Sequence, residues 1–311
     1  MSAVNDTIFS HTVFLLTGLP GQEDIYLWIS IVFCLIYVIS ILGNSVILFI
    51  IKRDPGLHEP MYIFLSMLAL TDLGLSIATI PTIMGIYFFN FKEISLHPCI
   101  AQIYFIAVLQ YAESAVLLFM SFDRFIAISD PLRYGSILTL PRIANMGLVC
   151  VLRALAIVLP LPLFLRQFQY CRTNVLSHST CRNEDMLKLA CSDTRASSMY
   201  GLIIKILTMG MDLLLIFVSY VMILKTVLSI ASQAESLRAL NTCVSHLCAV
   251  MLFYVPEFSL SVIIRFVKDS SPLLRIQLGY VSMLVPPLMN PIVYSVKSKH
   301  LRTRIIRAFI K

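Results

Sequence analysis

Seven apolar segments, each long enough to cross a lipid bilayer, follow one another along this chain and restrict the folds open to it. A membrane-spanning helix needs about 20 mostly apolar residues. The chain supplies such segments at 27–51, 61–88, 99–129, 143–165, 199–228, 239–266 and 274–296. Only 13% of the 311 residues are charged, about half the share in a soluble domain. We therefore predict an all-α fold, a bundle of seven transmembrane helices joined by short loops.

Three regions follow from this pattern. Residues 1–26 form an extracellular amino-terminal segment, residues 27–296 form the bundle, and residues 297–311 form a cytoplasmic tail. The tail is basic and places Leu301, Ile305, Ile306 and Phe309 on one side, which predicts a helix lying on the inner leaflet.

The distribution of Lys and Arg predicts the orientation in the membrane. With the amino terminus outside, thirteen of the 24 fall on the cytoplasmic side, nine fall outside, and two, Arg153 and Lys205, lie within spans. A cytoplasmic excess is the rule for membrane proteins, so the net charge of +7 reflects contact with membrane lipid and not with nucleic acid. We expect a multi-pass plasma-membrane protein. Because no Lys or Arg precedes Lys52, the first span is expected to act as an uncleaved signal-anchor.

Cysteines and a glycosylation signal agree with that orientation. Four of the eight cysteines (Cys99, Cys171, Cys181 and Cys191) fall on the predicted outer side, where disulfides form. Four thiols allow three pairings, and their spacing does not choose among them. Asn5 begins the tripeptide Asn5-Asp6-Thr7 and becomes a glycosylation site if the amino terminus is outside.

Several polar side chains lie at membrane depth, where each charge costs roughly 2.5–3.5 kcal/mol on insertion scales and usually faces a bundle interior. Asp72 lies in the second span and Glu113 in the third, while Asp123 and Arg124 close the third span. Such a helix is not a plain anchor, so we expect the third span to be the centre of a signalling bundle.

The motifs along the chain resemble those of rhodopsin-like G-protein-coupled receptors, and specifically the class I, or fish-like, odorant receptors. They are "PMYIFL", "LTDL", "SFDRFIAISDPLRY", "RALNTCVSHL", "FYVP" and "PPLMNPIVY". They occur in the family's order and cover essentially the whole chain. The resemblance implies a small-molecule odorant as ligand, a heterotrimeric stimulatory G protein as partner, and cAMP as the signal. It implies no required cofactor, and disulfides Cys99–Cys181 and Cys171–Cys191.

The resemblance also implies residues that change contacts on activation. Arg124, restrained by Asp123 at rest, would swing towards Tyr220 and the G protein, with His246 facing it. Pro256 and Tyr294 would let the sixth and seventh helices move. A polar core would hold Na⁺ as an allosteric ion. Its members are Asp72, Glu113, Ser114, Asn44 and Asn290. The alternative for Asp72 and Glu113 is a pair of protonated acids that only stabilise packing.

The ligand site is expected in the outer half of the bundle. Ser261 and Arg265 share one face of the sixth span, and Lys205 lies inside the fifth. Two cations near one cavity favour a carboxylate ligand, which Arg binds bidentately. The other predicted contacts are Gln102, Ile106, Gln110, Leu159, Glu184 and Tyr254. The alternatives are that Arg265 snorkels outward or pairs with Glu184 or Asp269, and that Lys205 pairs with Glu184.

Two other function classes fit less well. A transporter would show internal repeats, and the two halves of this chain do not correspond. An enzyme would need a metal-ligand cluster, a nucleophile elbow or a phosphate-binding loop, and we find none of these motifs in the sequence. Among receptors, the alternative to odorant detection is a sensor of metabolite acids in another tissue.

Overall fold

The computed structural model describes residues 12–19, 21, 23–171, 173–229, 232–267, 271–297 and 299–310. Seven helices within it are long and apolar enough to cross a membrane. They are α1 (Tyr26–Arg53), α2 (Pro60–Tyr87), α3 (Leu96–Ser129), α4 (Leu140–Gln167), α5 (Arg195–Leu228), α6 (Gln233–Phe266) and α7 (Pro272–Lys297). The all-α prediction is confirmed, and each helix extends no more than six residues beyond its predicted span. Asn5 and Asp269 lie outside the described residues.

The polar side chains at membrane depth point into the bundle, where they lie among buried apolar side chains, and many large apolar side chains point out, as expected where lipid replaces water. Asn44 and Asp72 are almost fully buried, whereas Phe217 is 64% exposed and Ile77 is 66% exposed. Small residues let helices approach closely. A Cβ atom on Gly43 of α1 would lie only 3.0 Å from the ring of Pro291 on α7. This close contact joins the first helix to the last.

Two helices depart from regular α geometry near the outer half of the bundle. In α4 the regular helix stops at Val158 and resumes at Pro160, because a proline lacks the N–H that continues the hydrogen-bond ladder. In α5 the segment Ile206–Gly210 forms one π-helical turn, a feature that often marks functional sites. The π turn directly follows Lys205.

A three-stranded sheet covers the outer end of the bundle, a feature that the helical pattern did not predict. Strands β1 (Val13–Leu16), β2 (Glu93–Ser95) and β3 (Val175–Leu176) have the order β2-β1-β3. β1 pairs antiparallel with β2 and parallel with β3. The amino-terminal strand is therefore central and joins the loop between α2 and α3 to the loop between α4 and α5.

The loop between α4 and α5 is held by the two disulfides expected from the resemblance, Cys99–Cys181 and Cys171–Cys191. The first attaches the loop to the outer end of α3. Within the loop, His178 Nδ1 lies 2.5 Å from the Asp185 carboxylate. Burial alone would raise the pKa of Asp185, but the His178 hydrogen bond and the nearby cations outweigh burial and hold that pKa below its ordinary value.

The tail forms helix α8 (Lys299–Ile310). Leu301 is fully buried against the bundle and Ile305 packs beside it, while Ile306 is half-exposed. Arg304 pairs with Asp54 in the loop after α1, with Nε 3.0 Å from Oδ2. The predicted tail helix thus docks on the carboxyl-terminal end of α1.

Candidate functional site: an outer cavity above a chain of buried polar contacts

A small cavity opens between α3, α5, α6, α7 and the loop that carries Cys181. Its volume is about 80 Å³, room for several waters or one small molecule, since a single water needs roughly 10–15 Å³. Apolar walls come from Ile103, Ile106, Leu161, Ile204, Leu260 and Met283. Polar groups come from Gln110, Arg182, Asn183, Glu184, Lys205, Glu257 and Ser261.

Lys205 forms an ion pair in this cavity with a residue that the sequence analysis did not single out. Its Nζ lies 2.7 Å from Oε1 of Glu257 on α6, and Gln110 of α3 donates to the other carboxylate oxygen at 3.3 Å. The alternative that Lys205 pairs with Glu184 is wrong. The requirement that a cation at membrane depth find a carboxylate, together with the position of Glu257 one turn from Tyr254, could have indicated this pair.

Arg182 is the second functional residue that the sequence analysis missed. It follows Cys181, so the disulfide to α3 positions it over the cavity. Its guanidinium donates to the Gly279 carbonyl at 3.2 Å and contacts Ser282 Oγ at 3.4 Å. Within the described part of the chain it makes no ion pair, and its Nε is buried without a hydrogen-bond partner. The position next to Cys181 was the available signal.

Arg265 lies outside the cavity, in a groove between α5, α6 and the loop. Its guanidinium is 3.7 Å from the Glu184 carboxylate and 3.2 Å from Ser198 Oγ. The structure therefore shows the alternative arrangement for Arg265, a pair with Glu184. Ser261, one turn deeper on α6, does line the cavity.

The remaining predicted ligand contacts separate into two groups. Ile106, Gln110 and Glu184 line the cavity. Gln102, Leu159 and Tyr254 do not. Gln102 donates to the Ala78 carbonyl of α2 and accepts from the Cys181 N–H, so it holds the loop to the bundle. Leu159 is half-exposed in a separate groove on the outer surface of α3 and α4, because the break before Pro160 turns it away from the interior.

A polar network lies directly beneath the cavity. The Tyr254 hydroxyl of α6 is 2.7 Å from Ser114 Oγ of α3, and Ser114 donates to Asp212 of α5 at 2.8 Å. Arg153 of α4 completes the network, with Nη2 2.9 Å from the same Asp212 oxygen. Ser114 thus faces α5 and α6 and does not join Asp72, contrary to the sequence prediction. Side chains of α3 and α4 thus contact the Asp212 carboxylate of α5, and α6 joins the network through Ser114.

Asp72 and its neighbours form a second buried group, between α2, α3 and α7. The Asn290 side-chain amide donates to both Asp72 oxygens, at 3.0 and 3.3 Å. Among the described residues, both Glu113 oxygens and Asn290 Oδ1 are buried and lack a partner in good hydrogen-bond geometry, although the Asn290 side chain is near enough to interact with Glu113. Asn44 is close by but donates instead to the Ser40 and Pro287 carbonyls. Three unpartnered oxygens and a carboxylate are a set that suits a hard cation.

Near the carboxyl-terminal end of α3, Arg124 pairs with Asp123, its Nε donating at 2.9 Å. Asp123 also accepts from the Tyr134 hydroxyl at 2.6 Å. Burial, followed by the charge of Asp123, raises the pKa of Tyr134, so its hydroxyl keeps its proton and remains a donor.

On α6, His246 bonds with the Tyr220 hydroxyl at 2.7 Å and with the Leu117 carbonyl at 2.9 Å. Tyr294 of α7 is buried against Met120 of α3. In this structure Arg124 is therefore paired with Asp123, and Tyr220 is hydrogen-bonded to His246 of α6.

Comparison with known proteins decides the family. The family model described as "Olfactory receptor" matches residues 33–311. This chain belongs to the olfactory receptor family. Human olfactory receptor 51G2 is 54% identical to it over 95% of this chain and 94% of the relative. Human olfactory receptor 51A4 is 53% identical over 98% and 97%. As a member of that family the protein is a multi-pass plasma-membrane receptor and not an enzyme.

The fold agrees with the family. The crystal structure of squid rhodopsin matches with a TM-score of 0.74 at 18% identity, covering 92% of this receptor and 81% of that chain. The olfactory receptor therefore shares the helix arrangement of rhodopsin, with its cavity among the outer halves of α3, α5, α6 and α7.

Proposed function

We propose that this olfactory receptor detects small carboxylic acids, with Arg182 as the main contact of the carboxylate and Lys205 as a second. The observation that carries the proposal is the charge balance around the cavity. Arg182 and Lys205 line the cavity beside two carboxylates, Glu184 and Glu257. Lys205 pairs with Glu257, and Arg265 reaches Glu184 from the neighbouring groove. Because each carboxylate is closer to another cation, Arg182 has no ion pair among the described residues. One monoanionic ligand would neutralise the site.

Size and wall chemistry support a short acid. About 80 Å³ of open space accepts only a few heavy atoms beyond the carboxylate. Ile106, Leu260 and Met283 supply an apolar wall for an alkyl chain, and Ser261 supplies a hydroxyl for the second carboxylate oxygen. Detection of hydrophilic volatile acids fits the class I branch, to which we assign the receptor.

The proposed signal runs from the cavity to a stimulatory G protein, which raises cAMP. The route is the column of contacts through Glu257, Tyr254 and His246 on α6, ending beside Arg124 on α3. The amino terminus, and with it the cavity mouth, would lie on the extracellular side, where the positive-inside rule places it.

Replacing Arg182 with glutamine should remove most of the response to short acids. A hydrogen bond to a charged group contributes about 1.5–3 kcal/mol, which corresponds to a roughly 10- to 150-fold loss of potency. The measurement is a cAMP reporter assay in cells expressing the receptor, with straight-chain acids tested beside the matching alcohols and aldehydes. Receptor at the cell surface is quantified by antibody labelling in the same wells.

The matched control is Arg166→Gln, a charge removal at the exposed end of α4 away from the cavity, which should leave acid potency unchanged. Arg265→Gln should weaken potency less than Arg182→Gln, because Arg265 lies outside the cavity and already has Glu184. If Arg182→Gln responds to acids like the wild type at equal surface level, the proposal is wrong.

We also propose that Na⁺ occupies the space beside Asp72 as an allosteric ion. The unpartnered oxygens of Glu113 and Asn290 together with the Asp72 carboxylate would hold it. The ion would supply a positive charge that lets both acids remain ionised. Without it, two close carboxylates in a low dielectric share a proton, since like charges disfavour each other's ionisation.

Raising Na⁺ at constant ionic strength, with choline as the replacement cation, should therefore reduce agonist potency several-fold in the wild-type receptor. Glu113→Gln should abolish this sensitivity, because an amide cannot balance the ion's charge. The readout is agonist binding to membranes across a Na⁺ titration. An equal Na⁺ effect in Glu113→Gln and wild type would refute the site.

A further inference from the structure

Glu257 is a carboxylate that lines the cavity proposed to bind acidic ligands. It is buried and directly follows Pro256, the proline inside α6. An acidic side chain is an unexpected lining for a cavity meant for acids, since like charges repel. Its partners give the reason for its presence.

The Glu257 carboxylate joins three helices. One oxygen is 2.7 Å from Lys205 Nζ on α5 and the other accepts from Gln110 on α3. Both side chains of the ion pair are largely buried, with 16% of Lys205 and 7% of Glu257 exposed. With so little exposure the pair is a restraint, because breaking it leaves two charges that are only poorly solvated.

The restraint acts at the point where α6 is able to bend. A proline removes one backbone hydrogen bond and weakens the helix locally. Glu257 lies on one side of Pro256 and Tyr254 on the other, and the Tyr254 hydroxyl contacts Ser114 of α3. Consecutive turns of α6 are thus tied to α3 and α5 above and below the bend. Release of the upper contact would free the outer half of the helix first.

We propose that Glu257 is a resident competitor for the odorant: it occupies Lys205 in the resting receptor, and an incoming acid displaces it. The inference rests on the proposed recognition of acids. A ligand carboxylate held by Arg182 reaches Lys205 from the same cavity. One of its oxygens takes the place of Glu257 Oε1 beside Lys205 Nζ. Glu257, left with Gln110 alone, then moves away from the apolar interior and takes α6 with it.

This exchange explains selectivity as well as activation. An alcohol or aldehyde of the same length fits the apolar wall but carries no charge to replace Glu257 on Lys205. Such a molecule would bind without releasing α6. Glu257 therefore allows activation only by a ligand that carries a negative charge.

The test compares Glu257→Gln with Lys205→Gln in the cAMP assay. Either change breaks the restraint, so both should raise ligand-free signalling several-fold above the wild type. Their effects on acid potency should be opposite. Removing the competitor in Glu257→Gln should improve potency roughly tenfold, equivalent to about 1.4 kcal/mol, whereas removing the cation in Lys205→Gln should weaken it.

Two further variants separate the proposed role from a loss of folding. The exchanged pair Lys205→Glu with Glu257→Lys keeps the contact and should return ligand-free signalling to the low wild-type level. Glu93→Gln, an exposed charge removal in strand β2, is the matched control and should change nothing. Surface labelling normalises every signal to the receptor present.

Wild-type ligand-free signalling and unchanged acid potency in Glu257→Gln would overturn the inference, and so would an exchanged pair as active as the single variants. The proposed function fails differently. In that case the wild-type receptor would not respond to acids at all, or Arg182→Gln would respond normally, whatever Glu257→Gln does to signalling without ligand.

Discussion

Replacing Asp212 with alanine should lower the stability of the receptor by about 3 kcal/mol, the low end of the cost of removing one partner of a buried ion pair, because Asp212 is buried but 36% of the Arg153 side chain is exposed. Asp212 accepts hydrogen bonds from Arg153 and Ser114, so its loss leaves a guanidinium at membrane depth without a counter-charge. Thermal unfolding of detergent-solubilised receptor and the fraction of receptor reaching the cell surface would both report this loss. Signalling should fall too, because Tyr254 of α6 contacts the same Ser114.

The origin of that effect can be tested with a second substitution. Removing both charges, with Asp212→Leu and Arg153→Leu together, should recover much of the lost stability, because two apolar side chains need no counter-charge. Asp212→Asn keeps an acceptor for Ser114 and should be less damaging than alanine. Wild-type thermal stability in Asp212→Ala would show that Arg153 does not depend on this carboxylate.

Replacing Cys181 with serine should have a comparable effect and should also remove ligand recognition. Loss of a native disulfide typically costs 2–5 kcal/mol. The bridge to Cys99 closes 82 residues, and it holds the neighbouring Arg182 over the cavity. We expect little receptor at the surface, and no acid response from the fraction that arrives. Surface labelling and the cAMP assay measure the two losses separately.

Two other cysteine substitutions serve as comparisons for Cys181→Ser. Cys191→Ser breaks a bridge with a separation of 20 residues, and the shorter loop should cost about 1 kcal/mol less, since each doubling of loop length adds roughly 0.6 kcal/mol. Cys248→Ser removes an exposed free thiol of α6 and should be neutral. If Cys181→Ser folded and responded to acids as the wild type does, the bridge would have no part in placing Arg182.

The helices were predictable because the bilayer imposes a strong and simple requirement. A segment without charges for about 20 residues has few other folds available, so hydropathy located all seven spans to within a few residues. The tail helix followed from its amphipathic pattern, with Leu301 on the buried side. The two disulfides needed the family resemblance, because four outer cysteines leave three pairings open.

The charged contacts were only partly predictable. Lys205 and Arg153 were recognisable as intramembrane charges, but the carboxylate that each one pairs with depends on helix rotation, which hydropathy does not specify. Glu257 passed unnoticed beside Pro256, although a buried lysine requires a carboxylate. Arg182 was counted only as one loop charge among several, because its position depends on a disulfide and a loop path. Long-range pairings of this kind carry no local sequence signal.

The outer sheet has a consequence for how the chain is made. β1 leaves the ribosome first, yet its neighbours β2 and β3 are synthesised roughly 80 and 160 residues later. Until the second of them is made, the nascent protein holds an unpaired strand edge, the kind of surface that can pair with another chain. We therefore expect the sheet to form only after helices α1 to α4 have been synthesised, because β3 follows α4 in the chain.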